Sequence, residues 1–298
     1  MEKQNFDITI VLIAGTIWSF GALIVKNLEN PLEVAWQYLL FRGFTVFIVL
    51  NIFLIIKEKK LFINNYSKIG LSGCVGGVGI ATAAIGFILS LTHTTAANTL
   101  LMLAAMPFIT AILAYIFLKE KVSNTSWVAI IIAAVGIIFM AYNNANFSDL
   151  FGIICGLLSS FGFAMFSVSL KWKKETPKFT TVALGGLFCF LFSLFIIFFL
   201  DNNFTMNLKN SSLSALHGFL VCIGFILFTI GSKRLPAADL TLLSLTEVLG
   251  GVFWVWLPLF GIHEVPSSST IIGGFIIILS IVYYSFFTQR KRHFSGLS

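Results

Sequence analysis

Two ionisable residues, Arg42 and Glu247, interrupt long apolar stretches of this sequence. A charged side chain at such a place is costly unless it faces protein, water or a bound partner. The guanidinium of Arg42 is a planar fork that fits a carboxylate, which makes it a candidate anchor for an acidic or zwitterionic substrate. Glu247 is a candidate binder of an amino group or carrier of a coupled proton. The alternatives are a structural role for Arg42 and a permanent salt bridge between the two residues.

The tryptophans supply a second candidate feature, an aromatic lining for a binding cavity. Trp18 and Trp254 lie well inside apolar stretches, so they are candidate substrate-binding residues. Trp36 and Tyr38 lie close to the end of a stretch, where anchoring at the membrane interface is the alternative.

The amino-acid composition indicates that these residues lie in a protein surrounded by lipid. Of the 298 residues, 58% are hydrophobic and only 10% are charged, which leaves too few polar side chains to cover a soluble core. A helix needs about 20 mostly apolar residues to cross a roughly 30 Å hydrocarbon layer. Ten such runs occur, at residues 8–26, 34–56, 69–91, 96–118, 126–142, 150–170, 180–200, 213–232, 237–259 and 270–288. The sequence therefore predicts an all-α integral membrane protein with ten transmembrane helices, and Pro107 predicts a kink in the fourth.

The distribution of basic residues predicts the orientation of these helices. Lys and Arg favour the cytoplasmic side of short loops. With the N-terminus inside, 16 of the 19 basic residues fall on the cytoplasmic side, whereas Lys26 and Lys209 fall outside and Arg42 lies within a run. Both termini are therefore expected in the cytoplasm. Because the positive charge is scattered over short loops, no nucleic-acid partner is expected.

The chain also contains an internal repeat. A shift of 141 residues places the "AAN" that ends at Asn98 on the "AAD" that ends at Asp239. A shift of 144 residues places Glu120 on Glu264. Two copies of one unit are therefore expected.

The repeat divides the chain into residues 1–145 and 146–298, with five runs in each half. Because five is odd, the second half enters the membrane from the opposite side, as in the inverted repeats of secondary transporters. Asn98 and Asp239 then lie in the first turns of matched helices. Either the capping of free amides or the attraction of an anionic substrate accounts for them.

Several motifs resemble the EamA-like family of the drug/metabolite transporter superfamily. They are "TTAAN" with the proline after it, the "LKEK" end of that helix and, in the second half, "PAAD", "WVWL" and "GIHE". Trp18, in "GTIWSFGALIVK", resembles the tryptophan of the family's first helix. The resemblance covers nearly the whole chain. It implies ten helices in a 5+5 inverted-topology repeat, with a central cavity formed mainly by helices 1–4 and 6–9.

Other function classes find little support in the sequence. The four histidines are far apart and form no HExxH motif, and no G-x-x-x-x-G-K-[ST] loop is present to bind a nucleotide. Rings of like charge or filter loops, which a channel would need, are not visible. We therefore expect a protein that is not an enzyme and that needs no cofactor or metal.

The sequence thus predicts a secondary transporter that works by alternating access. The resemblance implies export of amino acids or related metabolites across a bacterial cytoplasmic (inner) membrane. Uptake or exchange of organic acids or other metabolites, and export of lipophilic drugs, are the alternatives. The expected partners are a small-molecule substrate, membrane lipid and, where Glu247 couples transport to a gradient, protons. The chain is expected to be a monomer or a homodimer.

Overall fold

The computed structural model describes residues 2–59, 62–141, 150–262, 264–265 and 268–295. These residues form helices and connections, with no strand among them. The helices are α1 (Glu2–Trp18), α2 (Phe20–Lys26), α3 (Pro31–Glu58), α4 (Phe62–Ser67), α5 (Gly70–His93), α6 (Ala96–Leu103), α7 (Met106–Leu113), α8 (Asn124–Ala141), α9 (Leu150–Trp172), α10 (Lys178–Phe199), α11 (Leu208–Gly231), α12 (Ala237–Leu243), α13 (Thr246–Trp256) and α14 (Ser268–Ser295). A π-helical turn, Ala114–Leu118, follows α7, and a 3₁₀ turn, Pro258–Phe260, follows α13.

Eight segments of the described chain are long and apolar enough to cross a membrane. They correspond to eight of the ten runs predicted from the sequence, although α1 with α2, α6 with α7 and α12 with α13 each form one interrupted segment. The remaining two runs, 126–142 and 270–288, coincide with shorter apolar helices at 124–136 and 271–280, and residue 142 lies outside the described residues. The protein is an all-α membrane protein.

The kink predicted at Pro107 is present as a break between α6 and α7. Proline has no amide hydrogen, so the carbonyl one turn earlier loses its usual partner. At the end of α6, the Ala104 amide shares its hydrogen between Leu100 O, at 3.3 Å, and Leu101 O, at 3.1 Å, as is common at a helix terminus. The break falls at Ala104 and Ala105, just before the proline.

A second break, between α12 and α13, occurs without a proline. Thr241 Oγ1 donates to Ala238 O at 3.0 Å, and Ser244 Oγ donates to Thr241 O at 2.8 Å. Hydroxyl groups that bond to the preceding turn compete with the helical backbone and bend it. The break at Ser244 therefore contains two hydroxyl residues, whereas the matching break in the other half lies next to Pro107.

The helices pack through close backbone contact where glycines face each other. At the crossing of α5 and α9, a Cβ atom on Gly79 would lie 2.6 Å from Gly162 O, so neither position has room for a larger residue. Such small-residue contacts are typical of helix packing in membranes. The other principal pairs are α3 with α10, α8 with α14, α5 with α10 and α1 with α11. This arrangement surrounds an aromatic core beside a cavity.

Candidate functional site

The cavity is lined by residues of α1, α3, α5, α6, α7, α9, α10, α11 and α13. Apolar side chains make up most of its wall, and its ionisable lining residues are Arg42, His217 and Glu247, together with the thiol of Cys189. Three of the six predicted site residues, Arg42, Glu247 and Trp18, are therefore brought together, although Arg42 and Glu247 are more than 200 residues apart in sequence. Among the described residues no group of three or more His, Cys, Asp or Glu side chains is arranged to hold a metal ion.

Arg42 is buried in the cavity wall without a neutralising contact. Its side chain and backbone are only 7% exposed, and within the described chain its buried Nε atom has no hydrogen-bond partner. No ion pair among the described residues includes Arg42 or Glu247, although both line the same cavity. A buried guanidinium is normally paired, because removing it from water is costly. The cavity wall therefore contains a buried cation that has no counter-ion within 4 Å among the described residues.

Beside Arg42 lies a buried pair that the sequence did not reveal. Tyr38 Oη lies 2.7 Å from Nδ1 of His217, which joins α3 to α11. Tyr38 is 0% exposed and is thus not an anchor at the membrane interface. The sequence could have placed Tyr38 next to Arg42, because residues four apart lie on the same face of a helix. Nothing in the sequence placed His217 on that face.

Trp18 forms a rigid apolar wall of the cavity. Its ring meets the rings of Phe163 and Phe225 edge to face, with centroids 5.4 Å and 5.1 Å away, and its Nε1 donates to Val221 O at 3.4 Å. Edge-to-face rings and a satisfied indole N–H hold an aromatic side chain in one orientation. The cavity therefore offers a fixed surface for an apolar group.

The other three predicted site residues form contacts elsewhere. Trp254 donates from Nε1 to Ser19 Oγ at 2.8 Å, next to the junction of α1 and α2. Asn98 donates from Nδ2 to Thr94 Oγ1 at 3.0 Å, and its amide is capped by the preceding residues at the start of α6. Asp239 accepts a hydrogen bond of 3.0 Å from the hydroxyl of Ser126. None of these three residues lines the cavity.

Charged residues close the bundle at the end that contains Lys26. Glu264 Oε2 accepts from the amide of Ala96, the first residue of α6, at 3.0 Å. Glu264 Oε1 lies 3.0 Å from Lys26 Nζ, which also donates to Thr94 O at 2.9 Å. Because the first amides of a helix have no partner within the helix, a carboxylate there is well placed. This network, the Glu264 cap, ties α2, α6 and the segment after α13 together.

The opposite end has a matching network, the Glu120 cap. Glu120 Oε2 accepts from the amide of Ala237, the first residue of α12, at 3.3 Å. Lys171, at the end of α9, donates to Ser232 O. Ala237 and Glu120 are the residues that the sequence repeat matched to Ala96 and Glu264. Each half of the chain thus caps the interrupted helix of the other half.

Comparison with known proteins agrees with this architecture. Residues 5–142 match the EamA-like transporter family. The uncharacterized transporter YwfM of Bacillus subtilis (strain 168) is 24% identical over 201 residues, which are 66% of this chain and 67% of that protein. The uncharacterized transporter YojE of the same strain is 26% identical over 188 residues, 62% of this chain and 60% of that protein. A protein with a solved crystal structure superposes with a TM-score of 0.69 at 16% identity, over 95% of this chain and 98% of that protein, which shows a shared fold.

The family match and the two relatives agree with a multi-pass, all-helical architecture and with the motifs found in the sequence. Residues 5–142, just under half of this chain, thus match the EamA-like transporter family, and the chain is similar over about two thirds of its length to two transporters of Bacillus subtilis.

Proposed function

We propose that the chain is a secondary transporter that moves small metabolites, amino acids or related compounds, across the bacterial cytoplasmic membrane by alternating access, in the direction of export. The observation that carries the proposal is the cavity with an unpaired, buried Arg42 and with Glu247 in its wall. A carboxylate would neutralise the guanidinium, and an amino group would neutralise the glutamate. A bound zwitterionic solute would thus supply the counter-charges that Arg42 and Glu247 lack in the protein.

We propose further that the fold is a 5+5 inverted-topology repeat of ten transmembrane helices, made of residues 1–145 and 146–298. Supporting evidence comes from the Glu264 cap and the Glu120 cap, which join matched residues at opposite ends of the bundle. The breaks at Ala104 and Ser244 are likewise matched. With both termini in the cytoplasm, the Glu264 cap lies at the outer end and the Glu120 cap at the inner end.

These two caps give alternating access a physical basis. Opening the cavity to one side requires the cap at that side to release its helix, while the opposite cap keeps its own amide and carbonyl bonds. A solute that binds one state more tightly than the other shifts the population between them. The energy would come from a gradient, because the sequence contains no nucleotide-binding loop.

The proposal is tested by transport in proteoliposomes that contain the purified full chain. A panel of radiolabelled amino acids and organic acids is offered to the wild type, to Arg42→Ala and to Lys209→Ala as a control on an exposed basic residue. We expect Arg42→Ala to abolish transport of the solutes that the wild type moves, with its elution profile unchanged, and Lys209→Ala to transport normally. Full activity of Arg42→Ala would refute the anchor role, and a wild type that moves none of the panel would refute the substrate class.

A further inference from the structure

We propose that His217 is a second substrate anchor, and that its Nε2–H group and the Arg42 guanidinium together bind the carboxylate of the solute. The inference rests on the proposed function and names the group that the cavity recognises. It starts from the buried pair formed by Tyr38 and His217, of which His217 lines the mostly apolar cavity.

The hydrogen-bond requirements of this pair determine which nitrogen carries the proton. Tyr38 Oη is within bonding distance of His217 Nδ1, and no other partner is recorded for this hydroxyl among the described residues. If Nδ1–H donated to the tyrosine oxygen, the hydroxyl hydrogen would be buried without an acceptor, which is costly. If the hydroxyl donates to Nδ1, both groups are satisfied. The second arrangement makes Nε2–H the free donor of the imidazole.

A glycine faces the Nε2 edge of His217. A Cβ atom added to Gly21 of α2 would lie only 2.8 Å from Nε2, so the backbone of α2 comes close to this nitrogen and contributes no side chain there. His217 is 2% exposed and lines the cavity, and within the described chain no hydrogen bond uses its Nε2 atom. Nε2 is thus an N–H donor in the cavity wall that has no hydrogen-bond partner within the described chain, which leaves it available to a ligand.

The same helix contact that holds His217 also holds Arg42. Ser214 Oγ donates to Tyr38 O at 2.8 Å, one turn before His217 on α11. A Cβ atom on Gly218 would lie 3.1 Å from Arg42 O, so α3 and α11 touch through their backbones at this level. The register of the two helices is thus fixed, and Arg42 and His217 lie on neighbouring parts of one wall.

The chemistry of the wall defines the ligand. A guanidinium and a neutral N–H donor form a two-point site for a carboxylate, because both supply donors and neither needs to accept. Glu247 supplies a negative charge in the same cavity, and Trp18, Phe87 and Phe225 supply apolar surface. The inferred substrate is therefore a zwitterion with an apolar body, oriented by its carboxylate.

The test uses three probes with the same apolar body and the full chain in detergent or nanodiscs. L-leucine has both charges, 4-methylpentanoate lacks the amino group, and L-leucinamide lacks the carboxylate. Binding is measured by titration calorimetry for the wild type, for the double variant Tyr38→Phe/His217→Phe, and for His93→Gln, which alters an exposed histidine. The double variant keeps two rings and leaves no hydroxyl unpaired. Because one hydrogen bond to a charged group is lost, we expect L-leucine and 4-methylpentanoate to bind about tenfold more weakly to the double variant and equally well to His93→Gln.

A second measurement works on the unaltered chain. In ¹⁵N-histidine-labelled protein, the Nε2–H resonance of His217, assigned by its loss in the double variant, should move when 4-methylpentanoate binds and stay in place with L-leucinamide. One result would overturn the inference alone: L-leucine and 4-methylpentanoate bind, their binding requires Arg42, but neither the Nε2–H resonance nor the affinity of the double variant changes. In that case the proposed function stands. If L-leucinamide binds as tightly as L-leucine, or if no probe binds, recognition of a carboxylate is refuted, whereas transport of other solutes is decided independently by the proteoliposome assay.

Discussion

Replacing Glu264 by alanine should lower the stability of the protein through one identified contact. The carboxylate of Glu264 accepts from the amide of Ala96 at 3.0 Å and lies 3.0 Å from Lys26 Nζ. In the alanine variant, the first amide of α6 loses its acceptor and Lys26 loses its counter-charge but keeps its 2.9 Å bond with Thr94 O. The start of an interrupted helix is thereby left uncapped.

The magnitude follows from the two interactions that disappear. A hydrogen bond with a charged partner contributes about 1.5–3 kcal/mol. The ion pair adds only about 0–1 kcal/mol, because its side chains are 18% and 32% exposed and solvent screens them. We therefore expect a loss of about 2 kcal/mol in the free energy of unfolding, or about 4 °C in melting temperature at roughly 2 °C per kcal/mol.

Thermal unfolding of the purified chain, followed by intrinsic fluorescence in one detergent, measures this loss. Glu264→Gln keeps an oxygen for the Ala96 amide but no charge, so it should lose about 1 kcal/mol. Glu175→Ala removes an exposed carboxylate in the turn between α9 and α10 and should change stability by less than about 0.5 kcal/mol. Equal melting temperatures for the wild type and for Glu264→Ala would contradict the capping argument.

Three further substitutions test the packing and the charges. Gly162→Val would place a Cβ atom 2.5 Å from Gly79 O, so α5 and α9 would have to move apart. We expect the free energy of unfolding to fall by at least about 3 kcal/mol, seen as a lower melting temperature or as a failure to recover folded protein. A variant as stable as the wild type would contradict this packing argument. Arg234→Ala removes a partner at 2.9 Å from the carboxylate of Asp7, which is 2% exposed, and should cost about 1–3 kcal/mol. Lys209→Ala breaks an ion pair whose two side chains are about half exposed, so it should cost less than about 1 kcal/mol of stability. Equal losses of stability in the Arg234 and Lys209 variants would contradict the argument that the buried ion pair contributes more.

Several parts of the site were predictable because they depend on depth in the membrane or on local sequence. Arg42 and Glu247 stand out as charges in apolar runs, and both line the cavity. The break near Pro107 follows from the missing amide. The match between Glu120 and Glu264 was visible in the repeat, but their role as caps was not. Each glutamate contacts an amide more than 100 residues away in sequence.

Other parts could not be predicted. His217 is an isolated histidine in an apolar run, and its partner Tyr38 is 179 residues away in sequence. Trp254 resembled Trp18 in depth, yet it pairs with Ser19 beside the junction of α1 and α2. At the break near Ser244, the hydroxyl groups of Thr241 and Ser244 bond to carbonyl oxygens of the preceding turn. Ser and Thr are common in helices and do not always form such bonds, so the sequence did not indicate this break.

The sequence by itself determined that the protein lies in a membrane, that it is helical and that its halves share a motif. These properties depend on the hydropathy, charge and spacing of neighbouring residues. Only the tertiary structure decided which side chains meet in the cavity and at the two caps. In a membrane protein the lipid-facing and protein-facing surfaces are both apolar, so the pattern along a helix does not identify the face that packs. Contacts such as Tyr38 with His217 therefore became visible only once the helices were placed side by side.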